Sequence, residues 1–585
     1  MTTHDEPQSQ RSDDRNLAAP GRWHAGVGRA DITVWRPGLG MMGWGMLENY
    51  AESVATPLSA RAFVLRAGDH GPAFAMVCCE LAFISLALHD AVTRRVAATP
   101  ELAVLGLARD RLLLLATHTH SGPGGFTHYP FYNVTIPGFA QEILDGLADG
   151  ITAALAQAAA AVQPATLRFD ADEFAPELPV AFNRVVHCYN RNPDVTPVTA
   201  AEAHLAIDRR LRLLRIEDAE GTPIGSINWF AVHCTSVHSD NHALHFDNKG
   251  HAAAQLEHSL RTRGIDHHVG AFAQGAAGDV TPNRRRHPGK PFVRGELPDD
   301  DASARLCGGL QAELARKVLD NAARTPSLSP RIACAHAFVD MSRVAIDPRF
   351  VGGREGLHTS AGEIGMAMFF GTEEGPGLPR RVRGLQRWFA RARAMLRART
   401  RSPEVAAAQA EKLTWVESTQ HRVLGLRRLG RLPALRGRGR VARAVQLFRA
   451  LEQERQPWTP QVLPVQLVVL GELALAAVPH EFTTVAGRRL CRSLAQSLAA
   501  MGVHEVVLAG YANAYAGYVT TPEEYEVQEY EGASTHFGKW TLPAYQSVFE
   551  RLAARLLDRG AAASTLPEAV PPAFTAQELA ARAFT

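Results

Sequence analysis

The sequence predicts an α/β protein: one large domain of buried mixed β-sheets flanked by helices, with an Arg-rich helical insertion inside it. Three observations carry this. Apolar runs such as FAMVCCELAFIS and RLLLLATHTH have strand length and end in turn residues. Between them lie segments with helical spacing, HDAVTRRVAATPELAVLG and the Ala/Leu-rich stretch 139–162. The alternation continues through LRLLRIED, PIGSINWFAVH and HHVGAFAQGAAGD, with no internal repeat.

Residues 1–22 are polar and carry acids. They lack the basic and apolar regions of a secretory signal and read as a disordered tail. The domain spans 23–560, opening with the strands GVGRADITVW and SARAFVLRAG. The run VLPVQLVVLGELALAAVP (462–479) contains Glu472 and a central Gly. It reads as two buried strands joined by a turn, not a membrane span. HEVVLAGYANAYAGYVTTPEEYEVQEYEGASTHFG (504–538) is loop-rich and dense in Tyr. LPAYQSVFERLAARLLDRG closes the domain as a helix, and 561–585 reads as a second tail.

The insertion occupies 379–456. Nine arginines and no acid lie between Arg380 and Arg401, and nine more with no acid between Arg422 and Arg449. Two readings are open: a solvated amphipathic helical insertion, or an element that meets anionic lipid headgroups transiently through 380–449.

Among 585 residues, 46% are apolar and 21% charged, an ordinary globular composition. A net charge of +3 gives no case for nucleic acid. The seven cysteines are odd in number and form no CxxC pair, which suits free thiols in a reducing compartment. With no signal and no membrane span, the expected location is the cytoplasm, peripheral to membrane if the insertion touches lipid.

Residues i and i+2 of a strand share a face, so His118 and His120 should project together from the end of RLLLLATHTH. Carboxyl ends of strands are where open α/β sheets place ligands, and the SGPGG that follows lets backbone approach one. His233 repeats the pattern in NWFAVHCTSVHSDNHALHFDNKG, whereas His238, His242 and His245 read as a polar surface loop. Glu481 follows another apolar run and reads either as a helix N-terminal acid or as a ligand. Two histidines and a carboxylate at strand mouths match a catalytic zinc set with an open position. In AQGAAGDVTPN, Asp279 could cap a helix, and Thr281 could be a nucleophile or a substrate-binding hydroxyl.

In their order along the chain, GVGRADIT with MMGWG, THTHSGPGG, FNR near CYNRNP, NWFAVHCTS with DNKG, AQGAAGDVTPN, GTEEGPG, WTPQVLPVQ, EFTTVAGRR and GYVTTPEEYEVQEYEGASTHFG resemble the neutral/alkaline (non-lysosomal) ceramidase family. The resemblance makes 23–560 a catalytic domain. It implies one Zn2+ per chain on His118, His233, Glu481 and Tyr518, with His120 the active-site histidine beside it. It also implies Arg184 and Tyr530 as polar groups around the amide being cleaved. Only the resemblance nominates Tyr518.

Four departures stand out. Thr281 replaces the family's usual Ser, keeping a hydroxyl but stiffening the rotamer. The RRRHPGK just after it has none of the cysteines that family members often carry there, the family's C-terminal immunoglobulin-like domain is expected to be absent, and the Arg-rich insertion and missing signal are unlike many relatives.

The implied reaction is hydrolysis of ceramide, or a related N-acyl lipid, to a fatty acid and a free amine by metal-activated water. His120 is the expected general base and then acid. Two rivals stand beside it: an amidase using Thr281 as nucleophile, and a catalytically inactive protein that binds lipid or a membrane surface.

Overall fold

The four consecutive leucines 112–115 are explained by burial on both faces of one strand. Leu113 and Leu115 face a second sheet, while Leu112 and Leu114 face helices. Each contributes roughly 2 kcal/mol of apolar burial. The computed structural model describes residues 22–375 (137 apart), 377, 384, 388, 391, 407–425, 455–560 and 564–583. The tail to residue 21 and most of the Arg-rich stretch lie outside the described residues; the part described at 407–425 carries two short paired strands, Thr414–Glu417 and Arg422–Val423, where a helical insertion was expected.

The larger sheet comprises β1 (Trp23–Asp31), β2 (Ser59–Ala67), β3 (Ala73–Cys79), β4 (Leu112–Ala116), β5 (Gln163–Glu173), β6 (Arg210–Glu217), β7 (Pro223–Trp229) and β8 (Val269–Ala273). Their order is β8-β7-β6-β5-β1-β2-β3-β4. The pairs β3/β4 and β7/β8 are parallel and the others antiparallel. The sheet coils until its edge strand β8 returns toward β3, where Cys78 Sγ lies 3.7 Å from the Phe272 carbonyl.

The smaller sheet has β9 (Ile332–Asp340), β10 (Val462–Leu470), β11 (Leu473–Ala477) and β12 (Glu505–Ala509) in consecutive order. Here β11/β12 is the parallel pair. Gly471, at φ 61, makes the turn between β10 and β11, so 462–479 is the strand pair that its sequence predicts.

The inner faces of the two sheets share one core, from Trp23, Phe63, Phe74 and Leu113 across to Val468, Leu475 and Val507. Helices cover the outer faces. On the larger sheet these are α1 (Leu86–Ala98), α2 (Gln141–Ala160), α3 (Asp247–Arg261) and α4 (Asp300–Ala322). On the smaller sheet they are α5 (Thr484–Leu498) and α6 (Thr541–Leu556). The result is a layered helix–sheet–sheet–helix sandwich. No described helix is long and apolar enough to cross a membrane.

The stretch read as a C-terminal tail carries a short helix, Ala576–Ala581, and is bound to the domain. Arg582 is buried, donates to the His128 carbonyl, and accepts at its own carbonyl from the Phe139 N–H at 2.7 Å. All seven cysteines are free thiols.

Candidate active site

Three parallel strand pairs end at one place. The loops after β4, β7, β8, β11 and β12 carry His118 and His120, His233, Thr281, Glu481 and Tyr518 respectively. These residues therefore lie beyond strand carboxyl ends, as their sequence pattern predicts, but the local geometry differs in two respects.

First, β4 stops at Ala116, so His118 and His120 do not share a strand face. His118 takes a left-handed backbone, φ 72, at a cost of about 1–2 kcal/mol. That turn still brings the rings edge to face at 4.7 Å, with Nε2 atoms 3.1 Å apart. Second, Glu481 does not start a helix. Glu481–Phe482 pairs in parallel with Tyr518–Val519, which sets Glu481 beside Tyr518, and the helix begins only at Thr484. The pairing partners are too distant in sequence for periodicity to reveal.

The His233 loop lies against the His120 loop through a Thr119–Cys234 bridge and a bond from His120 N–H to the Cys234 carbonyl at 3.2 Å. His118 Nε2 is 3.4 Å and His233 Nε2 3.1 Å from Glu481 Oε2. Burial alone would raise the Glu481 carboxyl, but His118 and His233 hold it well below the usual carboxylate range. Burial, then His118 and His233, push the His120 imidazole well below its ordinary value, so it is neutral near pH 7. Burial and then Glu481 push the Tyr518 phenol up.

Ring-nitrogen partners decide what the cluster can hold. His118 Nδ1 donates to the Ala82 carbonyl at 2.5 Å, and His233 Nδ1 donates to the Val280 carbonyl at 2.9 Å. Each bond fixes the tautomer whose Nε2 has a free lone pair. His233 Nε2 is buried without a hydrogen bond, as a ligand atom would be. With the anionic Glu481, these donors fit a cation. A second cluster, His245, His251 and Asp301, does not. The Asp247 N–H donates to His245 Nδ1 at 2.9 Å, which puts the His245 proton on Nε2, where it binds Asp301 Oδ1 at 3.0 Å. That group is a hydrogen-bonded clip between α3 and α4. It also corrects the surface-loop reading, since His238 and His245 are both buried.

Arg184 lines a cavity of about 1080 Å³ with Tyr530, Thr281, Phe292 and Glu374. Its guanidinium donates from Nε to Glu531 at 2.7 Å, from Nη1 to Glu374 at 2.9 Å, and from Nη2 to the Gly278 carbonyl at 2.8 Å and Tyr518 Oη at 3.3 Å. The Tyr530 ring stands edge-on to Tyr518, 5.6 Å away, and under Arg184 at 5.4 Å. Thr281 donates its hydroxyl to Glu374 Oε2 at 2.5 Å and accepts the Asn283 N–H at 2.9 Å, with no histidine partner. No helix follows Asp279. Its Oδ1 accepts instead from the N–H and hydroxyl of Thr484, capping α5 from afar.

Sequence reasoning missed four neighbours. Tyr511 and Tyr515 donate to the two oxygens of Glu481, Trp44 stands edge-on to His120 at 5.1 Å, and Glu374 grips Arg184. Their signal was the tyrosine density of 504–538 and the motifs MMGWG and GTEEGPG, which carry no local chemistry to single a residue out.

A sequence model of the neutral/alkaline non-lysosomal ceramidase N-terminal region matches residues 23–423 and 441–547. Neutral ceramidase of Pseudomonas aeruginosa is 34% identical over 538 residues, covering 91% of this chain and 72% of that protein. The neutral ceramidase of Mycobacterium tuberculosis is 33% identical over 543 residues, 91% of this chain and 77% of its own length. The crystal structure of the Pseudomonas aeruginosa enzyme superposes with a TM-score of 0.74 at 31% identity, covering 94% of this chain and 76% of that one. A ceramidase structure described as complexed with C2 gives 0.75 at 32% identity, covering 94% and 77%. The two-sheet sandwich, the histidine–carboxylate cluster at its strand ends and these likenesses agree: the chain belongs to the neutral/alkaline ceramidase family, hydrolases of the ceramide amide bond.

Proposed function

We propose that this chain is a zinc-dependent amidohydrolase that cleaves ceramide or a related N-acyl lipid to a fatty acid and a free amine. The observation that carries it is the pair of Nδ1–H bonds that turn the His118 and His233 Nε2 lone pairs toward the Glu481 carboxylate. His118, His233, Glu481 and Tyr518 would hold the ion. Bound there, zinc supplies a Lewis acid and a water that is nucleophilic near neutral pH.

His120 is neutral and reaches the same point, so it takes the proton from the attacking water and returns it to the departing amine nitrogen. Arg184 and Tyr530 line the cavity and donate to the carbonyl oxygen as it gains charge. Tyr530 keeps its proton because burial pushes the phenol up. Thr281 spends its proton on Glu374 and meets no imidazole, which favours a substrate-facing or structural hydroxyl over a nucleophile. For the Arg-rich segment, transient contact with an anionic membrane surface remains our reading from sequence, as does a cytoplasmic location.

A panel of N-acyl amines of varied chain length, assayed with and without chelator, tests the reading. Turnover lost on chelation and restored by zinc is expected. Chelator-resistant turnover overturns it.

A further inference from the structure

The motif GTEEGPG has no role in the mechanism above, yet its Glu374 is buried at the foot of the cavity with 2% exposure. Its carboxylate binds three separate segments. Oε1 accepts from Arg184 Nη1 at 2.9 Å. Oε2 accepts from Thr281 Oγ1 at 2.5 Å, Asn283 Nδ2 at 2.9 Å and Thr235 Oγ1 at 3.2 Å. Its backbone carbonyl accepts from His238 Nε2. That ring lies between Trp44, the neighbour of His120, and Phe292 on the cavity wall.

A guanidinium has five N–H donors in one plane. In Arg184, Glu531 takes the Nε proton, Glu374 takes one from Nη1, and Gly278 and Tyr518 take the Nη2 pair. One Nη1–H is left over, on the same nitrogen that Glu374 holds. The charge-assisted bond at Glu374 therefore fixes the direction of the one donor remaining to a substrate oxygen. The other carboxylate oxygen, Oε2, takes the Thr281 hydroxyl proton and leaves a lone pair of Oγ1 as what that residue can offer.

We propose that Glu374 is a positioning residue for amide cleavage: it aims the spare Nη1–H of Arg184 at the substrate oxygen and sets Thr281 as a hydrogen-bond acceptor, not a nucleophile. This rests on the hydrolase reading above. It extends that reading to a residue that touches neither ion nor substrate.

The test is steady-state kinetics with the zinc-loaded full chain on a short-chain N-acyl sphingoid substrate, alongside metal content by mass spectrometry. Glu374→Gln is expected to lower kcat by about 10- to 100-fold with KM within about threefold, because the aimed donor acts on charge that develops late. Metal content is expected to stay at that of the parent. A double-mutant cycle with Arg184→Lys should be strongly non-additive, since both changes remove one interaction. Thr281→Val, which removes the acceptor but no nucleophile, is expected to lower kcat by up to about tenfold without abolishing turnover.

Should Glu374→Gln fail to fold, Glu374→Asp, which keeps the charge but withdraws it by one methylene, is expected to show the same loss in kcat. Unchanged kcat in a folded, metal-replete variant, or full additivity with Arg184→Lys, overturns the proposal. Abolished turnover in Thr281→Val also overturns it, in favour of a Thr281–Glu374 nucleophile and base. Metal loss in Glu374→Gln would place Glu374 in support of the ion and overturn the positioning role, while chelator-resistant activity of the parent would sink the hydrolase reading itself.

Discussion

Tyr515 donates its hydroxyl to Glu481 Oε1 at 2.5 Å, while Tyr511 donates to Oε2 at 3.2 Å, so the two tyrosines hold the carboxylate at both ends. Tyr511 sits at φ 57 to do so, and Tyr515 stacks on Phe83 at 4.5 Å. Groups that orient a metal ligand typically change metal affinity by about 10- to 100-fold. Tyr515→Phe is expected to lose metal to a competing chelator at least tenfold more readily than the parent, with Tyr511→Phe, the longer bond, losing less. Chelator titration followed by metal analysis measures it, and equal affinities would remove Tyr515 from ligand support.

Metal stoichiometry separates the two histidine clusters. One equivalent per chain is expected, abolished by His118→Ala and retained by His251→Ala, because the His245 proton already binds Asp301. Two equivalents, or loss with His251→Ala, would show that the second cluster also binds an ion.

His120 and His118 touch, yet they should fail differently. His120→Ala is expected to cut kcat by about 10²- to 10⁴-fold while keeping the metal. A variant that loses metal and activity together would make His120 a ligand.

Gly43 has φ 130, and a Cβ built there would lie 2.4 Å from His120 Cγ. Gly43→Ala must therefore displace the His120 ring and strain its own backbone. The expectation is at least a tenfold fall in kcat with metal retained, checked by kinetics beside metal analysis. Parent-like kinetics would mean that the ring has room to move.

Stability should fall on the acid side. Burial lowers His89 to about 3 and His128, His268 and His336 to about 4. Below about pH 6.5 the unfolded chain takes up these protons and the folded chain does not, so stability is lost as pH falls toward 4. Three buried carboxyls oppose this. Burial raises Asp247 and Asp279 to about 6 and Glu524 to about 7, so their contribution is fully present below about pH 4 and is lost as pH rises through 6–7. Four histidines outweigh three carboxyls, and Tm is expected to drop as pH falls between about pH 6 and 4.5. A Tm that rises over that interval in a thermal melt would contradict the balance.

Element type was legible because burial on both strand faces leaves continuous apolar runs, as in 112–115 and 462–470. Strand ends were not. The His118–His120 pairing was inferred from alternation, but a left-handed residue produces it, and nothing in THTH signals that φ. Glu481 looked like a helix start because its true partner, Tyr518, lies 37 positions onward in a two-residue strand. Asp279 does cap a helix, though one that begins 205 residues later. Such long-range partners depend on how the coiled sheet closes, which local pattern does not record. Arg184 and Tyr530 could be named only by likeness, since their chemistry arises from Glu374, Glu531 and Tyr518 gathered around them.

The proposed ion ligands are divided between the sheets: His118 and His233 follow strands of the larger sheet, while Glu481 and Tyr518 follow strands of the smaller. The chain passes from one sheet to the other once before Glu481, between α4, which ends at Ala322, and β9, which begins at Ile332. A break in that connection would give two fragments with half a ligand set each and one broad apolar face each. Joining the two sheets is thus what would complete the proposed ligand set.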